Sequence, residues 1–405
     1  MPPAGLLRNA LVLGLISAIG PFAIDMYLPA LPNIGADLNA ESGAVQMSLL
    51  TFFIAAAISQ LFYGPLSDMY GRKVPLYSGL MLFAIGCMGA ALSTSIDMLV
   101  SFRFLQGVGA AAGMVIPRAI VRDLYTGVDA ARLMSLLMLV FSVSPIIAPL
   151  SGSLIIDTYS WRAVFWIVLV AAIAGIILLA LWQKETRPVA ARLESNLNSA
   201  LSGYGVLIKD RNFIGLVMIG AMCMGGFMVY LANSSFVFIE QYGFTPREYA
   251  LAFSVNAISF IGMSQLNGIL ASRFGLKRVV LFSVSCAAII LTAMLVLVLS
   301  GAHSYLMIAS FLFAGFGFLG LVIPTTAVLA LEDHGKIAGT ASALMGTLQF
   351  LVAALAIGIS SVFSDGTILP MVAGITLSIV TAFVLTLIVL RKKPKMRDLQ
   401  SSVIG

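Results

Sequence analysis

The chain has 405 residues, of which 60% are hydrophobic and only 10% charged, and its mean hydropathy is +1.04. No globule in water could cover that much apolar surface, so composition excludes a soluble domain and indicates a membrane protein. The formal charge of +6 gives no reason to expect a nucleic-acid partner, because the basic residues stand beside apolar runs and do not gather on one polar face.

Crossing a hydrocarbon core takes about 20 apolar residues. Twelve such runs lie near 7–32, 41–63, 75–95, 98–118, 131–156, 161–182, 212–238, 247–270, 279–299, 304–329, 338–362 and 368–390. They are expected to be helices, since backbone groups left unpaired in lipid are too costly and the runs are too long for barrel strands. Of the 23 Lys and Arg residues, all except Arg103, Arg162 and Arg247 fall on the side of both termini. The positive-inside rule therefore predicts cytoplasmic termini. The expected fold class is an all-α membrane protein of twelve transmembrane helices. Its predicted segments are a six-helix bundle over 1–182, a cytoplasmic linker over 183–211, a second bundle over 212–391 and a tail over 392–405.

The first span holds Pro21, Asp25, Pro29 and Pro32. Its one carboxylate lies among helix breakers that free nearby carbonyls, so a bend around Asp25 is expected, and the first run is read as a span and not as a cleaved signal. Gly64-Pro65-Leu66-Ser67-Asp68-Met69-Tyr70-Gly71-Arg72-Lys73 forms a tight polar turn between the second and third spans. Its glycines, leucine and lysine recur at Gly268, Leu270, Gly275 and Lys277, a constant offset of 204 (268 minus 64). Two halves built on one plan follow from that offset, as in repeat-built secondary transporters.

The fourth span places Arg103 and Gln106 before a strip of small residues, Gly107, Gly109, Ala110, Ala111, Ala112 and Gly113, that invites close helix packing. At its far end Arg118, Arg122 and Asp123 are spaced to meet the Asp68 turn. The fifth span carries Ser144, Pro145, Pro149 and Gly152, which predict a bent, closely packed helix. In the second half Tyr230, Asn233, Asn256 and Gln349 are candidate neutral contacts, beside Met26 and Tyr27 in the first span. Cys87, Cys223 and Cys286 sit inside apolar runs without paired spacing and read as core residues, neither a disulfide framework nor a metal site. The chain has no nucleotide-binding loop and no nucleophile–base cluster, so neither an ATP-driven pump nor an enzyme is expected.

Counted from the span ends, Asp25 and Arg103 lie roughly 12 and 8 Å deep, close enough to meet within about one helical turn. Charges in spans pair or line a wet cavity. Burial disfavours an ionised carboxylate and a nearby arginine favours it, so Asp25 is the candidate proton-coupling group and Arg103 its partner. The plainer alternative is a static ion pair that ties the first helix to the fourth. For Asp68, Arg72 and Lys73 the alternatives are a conformational latch and an ordinary solvated turn.

Gly64, Leu66, Asp68, Gly71, Arg72 and Lys73 resemble the loop signature of the major facilitator superfamily, with a degenerate second copy in which Ser272 replaces the acid. Arg103, Gln106, Gly107 and Gly109 match that family's fourth-helix pattern, and Pro145 to Gly152 resembles its fifth-helix antiporter signature, with Ser144-Pro145 where Gly-Pro is usual. Ile24 to Pro32, Ser160-Trp161-Arg162-Ala163-Val164-Phe165 and Ser235-Phe236-Val237-Phe238-Ile239 look like the bicyclomycin and chloramphenicol resistance transporters (Bcr/CflA type). The resemblance implies two pseudo-symmetric six-helix bundles of the major facilitator fold, in a drug/proton antiporter of the bacterial inner membrane. In it Asp25 and Arg103 take part in coupling and the Asp68 turn stabilises the outward-open form. The expected partners are amphiphilic drugs, protons and the bilayer, with no nucleic acid and no cofactor, the proton gradient driving a monomer. The alternatives are an exporter or facilitator of a native metabolite and, from another class, a non-transporting membrane scaffold.

Overall fold

A computed structural model describes residues 4–193, 197–365 and 367–390; the expected tail over 392–405 lies outside them. Among the described residues every regular element is helical. Eleven helices are long and apolar enough to cross a membrane, and a twelfth is formed if one bent pair counts as a single span.

The first half runs α1 (Ala4–Asp25), α2 (Leu31–Leu38), α3 (Ser42–Tyr70), α4 (Lys73–Ala91), α5 (Ile96–Leu124), α6 (Gly127–Thr158) and α7 (Arg162–Trp182). The short helices α8 (Val189–Leu193) and α9 (Leu197–Lys209) connect it to the second half. That half comprises α10 (Arg211–Ser235), α11 (Pro246–Gln265), α12 (Asn267–Phe274), α13 (Leu276–Leu299), α14 (Tyr305–Leu331), α15 (Ala338–Val362) and α16 (Ile368–Leu390). Within the first half α5 packs on α3 and α4, and α1 on α6 and α7; within the second α10 packs on α14, α15 and α16, and α11 on α14. The halves meet where α3 lies along α15 and α6 along α11. Large apolar side chains such as Leu7, Val170, Ile289, Leu306 and Leu377 face outward, as a lipid-immersed surface requires.

The small residues of α5 set the packing of the first half. A Cβ on Gly107 would collide with the Phe52 carbonyl of α3, one on Gly109 with the Gly79 carbonyl of α4, and one on Gly113 would lie 2.9 Å from the Ile16 carbonyl of α1. Three neighbours thus approach one helix through its glycines. The internal repeat also has a backbone signature. Gly71 and Gly275, separated by the same offset of 204 (275 minus 71), have φ of +88° and +82°, values that favour glycine at both turns.

Two spans are broken. The first helix stops at Asp25 and continues through a 3-10 turn over Leu28–Ala30 into α2, which places the break beside the predicted acid. The expected single span at 247–270 is instead α11 and α12, bent by 41°. Asn267 holds that break: its amide donates to the Leu321 carbonyl at 3.2 Å and its oxygen accepts from Thr325 at 2.6 Å, both on α14.

Candidate functional site

Asp25 ends α1, and the chain then turns away, so its side chain is presented where α1, α6 and α11 come together. It is 6% exposed and its Oδ2 accepts a 2.8 Å hydrogen bond from the Ser144 hydroxyl of α6. Ser144 precedes Pro145, and α6 runs unbroken through Pro145 and Pro149. One turn further on, Gly152 is packed so tightly against the Met26 carbonyl that a Cβ could not fit. The glycine brings α6 against the broken end of α1, and Ser144 then reaches the acid. The Tyr249 phenol of α11 is within electrostatic reach of Asp25 and shares a 3.1 Å hydrogen bond with Ser234.

Arg103 is fully buried. Its Nη1 donates to the Ala23 carbonyl at 3.2 Å and to Gln106 Oε1 at 2.5 Å, and its guanidinium lies 4.6 Å from the ring centres of both Tyr27 and Phe52. Nε and Nη2 have no hydrogen-bond partner. Among the described residues Asp25 and Arg103 form no ion pair. The arginine is held by aromatic faces and a carbonyl two residues before Asp25, and the acid by a neutral hydroxyl, so a static ion pair does not describe this conformation.

The other candidates fall in two groups. Met26 and Tyr27 are buried beside the break, with the Tyr27 hydroxyl bonded to Ser48 at 2.8 Å. Tyr230 is buried among Phe253, Phe316 and Phe238, and its oxygen accepts from Asn256 at 2.9 Å. Gln349 is half-buried on α15. Asn233 takes part in a contact between the halves that sequence reasoning did not find. Gln46 of α3 donates to Asn233 Oδ1 and to Ser364 Oγ, both at 3.1 Å, and Ser42 shares a 3.2 Å bond with Ser364. Ser254 of α11 donates to the Ile146 carbonyl of α6 at 3.1 Å. These contacts join the halves at the Ser42 end of the bundle, and nearer the middle of α3 Thr347 of α15 donates to the Ala57 carbonyl at 3.0 Å; α12, towards the opposite end, buries none of its residues.

The turn at that opposite end centres on Arg72, only 4% exposed. Its guanidinium donates to Asp68 Oδ1 at 2.7 Å, Ser67 Oγ at 2.8 Å and Asp123 Oδ2 at 2.7 Å. Asp123 thus meets Arg72, while Arg122 lies near Gly339 at the start of α15 and Arg118 stands one turn earlier on α5. Gly64 lies inside α3 with open space about it, and the Lys73 ammonium sits over the Tyr77 ring at 5.7 Å. The residue that sequence reasoning missed here is Glu185. It accepts backbone N–H bonds from Arg72 and Arg187 at 2.9 Å and from Lys73 at 3.1 Å, capping the free amides at the start of α4. Burial alone would raise its carboxyl, but these bonds and the charge of Arg192 outweigh it and hold the group below its ordinary value of 4.5.

The model of the Major Facilitator Superfamily matches residues 13–357. The chain belongs to the major facilitator superfamily. It is a multi-pass membrane transporter, not an enzyme. It is 36% identical over 361 residues to the Bacillus subtilis uncharacterized MFS-type transporter YdgK, covering 87% of this chain and 89% of that one. It is 30% identical to Escherichia coli multidrug resistance protein D, covering 84% of each chain. It is 29% identical to the Haemophilus influenzae bicyclomycin resistance protein homolog, covering 93% and 95%. A crystal structure of a D-xylose-proton symporter superposes with a TM-score of 0.74 at 15% identity over 94% of this chain and 97% of its own, a likeness of fold alone. In this chain the Trp161-Arg162 pair has a structural reason: both side chains donate to Asp37 Oδ2, at 3.1 and 2.6 Å, tying the start of α7 to α2.

Proposed function

We propose that this transporter expels amphiphilic drugs of the chloramphenicol or bicyclomycin kind across the bacterial inner membrane in exchange for protons, with both termini in the cytoplasm. The observation that carries the reading is the separation of Asp25 from Arg103. A buried acid with one neutral donor, near a buried arginine with two unpartnered nitrogens, can gain or lose a proton as the helices rearrange. The groups that the structure sets against it are Ser144, by its hydrogen bond, and Tyr249, within electrostatic reach.

In the cycle a proton from outside neutralises Asp25 and weakens drug binding, which favours return to the inward-open form. Release of that proton to the cytoplasm restores the site. Met26, Tyr27, Tyr230, Asn233 and Asn256, buried in this conformation, and half-buried Gln349 supply, once the helices rearrange, a mostly apolar surface with few directional groups, which suits broad selectivity. The contacts of Gln46 and Asn233 close the outer side, and Asp68, Arg72, Lys73, Gly71 and Asp123 form the cytoplasmic latch with Glu185. No cofactor is required, and one chain suffices.

Drug-induced proton release from purified protein, wild type beside Asp25→Asn, tests this between about pH 6 and 8.5. Release from wild type alone supports antiport through Asp25. Undiminished release from the mutant moves coupling elsewhere, and drug binding without release from either protein replaces antiport with facilitated transport.

A further inference from the structure

The degenerate copy of the polar turn has lost its acid. In the first copy Arg72 is neutralised by Asp68 and Asp123; in the second, Ser272 stands at the acid position, and Arg273, Lys277 and Arg278 form no ion pair among the described residues. Beside these cations, between α12, α13 and α14, lies a groove of about 370 Å³. Its walls are mostly apolar and include Leu270, Phe274, Phe282 and Phe318, with Phe282 edge-on to Phe318 at 6.2 Å. The bend at Leu266 angles α12 away from the line of α11. Arg278 is one of the residues that line the groove, and Arg273 lies over the Phe274 ring at 5.4 Å.

One residue of the groove wall has a polar atom without a partner. Ser283 is 1% exposed, and its hydroxyl makes no hydrogen bond. A buried hydroxyl without a partner is costly, so a ligand that supplies an acceptor there gains from it. Ser283 lies five residues beyond Arg278 on α13, about 7.5 Å along the axis. Both residues line the groove, with Ser283 deeper along α13 than Arg278, the order in which a glycerophospholipid presents its phosphate and its acyl ester carbonyls.

We propose that the groove binds an anionic glycerophospholipid from the leaflet on the Arg72 side of the membrane. Its phosphate contacts Arg278, with Arg273 and Lys277 at the rim. An ester carbonyl accepts from Ser283, and an acyl chain lies along Phe282 and Phe318. The assignment is independent of the transported substrate and of proton coupling.

The test is native mass spectrometry of the full purified chain, titrated with dioleoylphosphatidylglycerol or dioleoylphosphatidylcholine. At about 1 kcal/mol for the one basic residue in contact, Arg278, the first phosphatidylglycerol is expected to bind roughly fivefold more tightly than the first phosphatidylcholine. Arg278→Gln reduces that preference to about twofold or less and Arg278→Lys keeps most of it. Ser283→Leu weakens the first adduct of both lipids, and Arg211→Gln, at the same membrane end but outside the groove, changes neither. Equal affinity for the two lipids in wild type, a preference that survives in Arg278→Gln, or displacement of phosphatidylglycerol by equimolar inorganic phosphate would each overturn the assignment. So would an unchanged first adduct in Ser283→Leu.

Discussion

Across the seam between α6 and the broken end of α1, the hydroxyl of Ser144 donates to the carboxylate of Asp25 at 2.8 Å. The donor is neutral and both groups are buried, so it favours the ionised acid without cancelling its charge. A hydrogen bond to a charged group contributes about 1.5 kcal/mol, equivalent to roughly one pH unit. Ser144→Ala removes that preference for the ionised form. Drug-induced proton release in the variant is expected to move to higher pH by about half to one unit, with the folded protein otherwise intact. An unmoved profile would show that Ser144 only fills space beside Pro145.

Arg72 divides its guanidinium between two carboxylates of unequal burial. Side-chain exposure is 42% for Asp68 and 16% for Asp123. Solvent screens the Asp68 contact more strongly, whereas loss of Asp123 leaves a nearly buried cation short of its less hydrated partner. Asp123→Asn is therefore expected to slow transport about threefold or more beyond Asp68→Asn and to lower the unfolding temperature further. Inward-side drug binding should be nearly intact in both. The reverse ranking, measured as transport rate and thermal unfolding side by side, would place the weight of the latch on Asp68.

Much of this was legible in the sequence because the bilayer constrains it so strongly. Most of the apolar runs of spanning length, the paired glycines at Gly71 and Gly275 and Pro29 in the turn after Asp25 have in the structure the use their chemistry suggests, whereas α1 runs unbroken through Pro21. What the sequence could not supply was partnership over distance. Ser144 is one small residue among many, and nothing marks it as the donor to an acid 119 positions earlier. Gln46 and Asn233 are 187 positions apart, and Glu185 reads as one of several charges in a polar linker until its carboxylate is seen on the amides of Arg72 and Lys73. The break at Leu266 escaped for the same reason: Asn267 is stabilised out of the helical line by Thr325 on another helix.

Glu185 offers a test in which the sign of the pH effect is fixed. Its carboxyl is held below the ordinary 4.5 by the amides and by Arg192, so the ionised form is the one bound in the folded turn. The stabilisation is fully present above that ordinary value and is lost as pH falls through the lower folded value. Glu185→Gln should consequently weaken the protein at neutral pH and flatten the acid limb of its thermal stability below about pH 4.5. The pH response of transport between about 6 and 8.5 should remain that of wild type. A transport profile shifted in that range by Glu185→Gln would mean that the turn, and not Asp25 alone, senses protons.

At the other end of the molecule Ser42 and Ser364 join the halves through hydroxyls 3.2 Å apart, next to the Gln46 contact with Asn233. Alternating access requires this seam to open and close once in each cycle. Replacing both serines by cysteine places two thiols where modest movement reaches the disulfide length of about 2.05 Å. Cys87 and Cys223 are buried, and half-buried Cys286 is replaced by serine in the same background. Oxidised Ser42→Cys/Ser364→Cys protein is expected to retain less than about a tenth of wild-type transport and to recover most of it on reduction, while either single variant transports normally. Drug should still bind to the locked form from the Arg72 side. If the cross-linked protein cycles at the wild-type rate, the seam is not a moving closure, and the opening must run along another pair of helices.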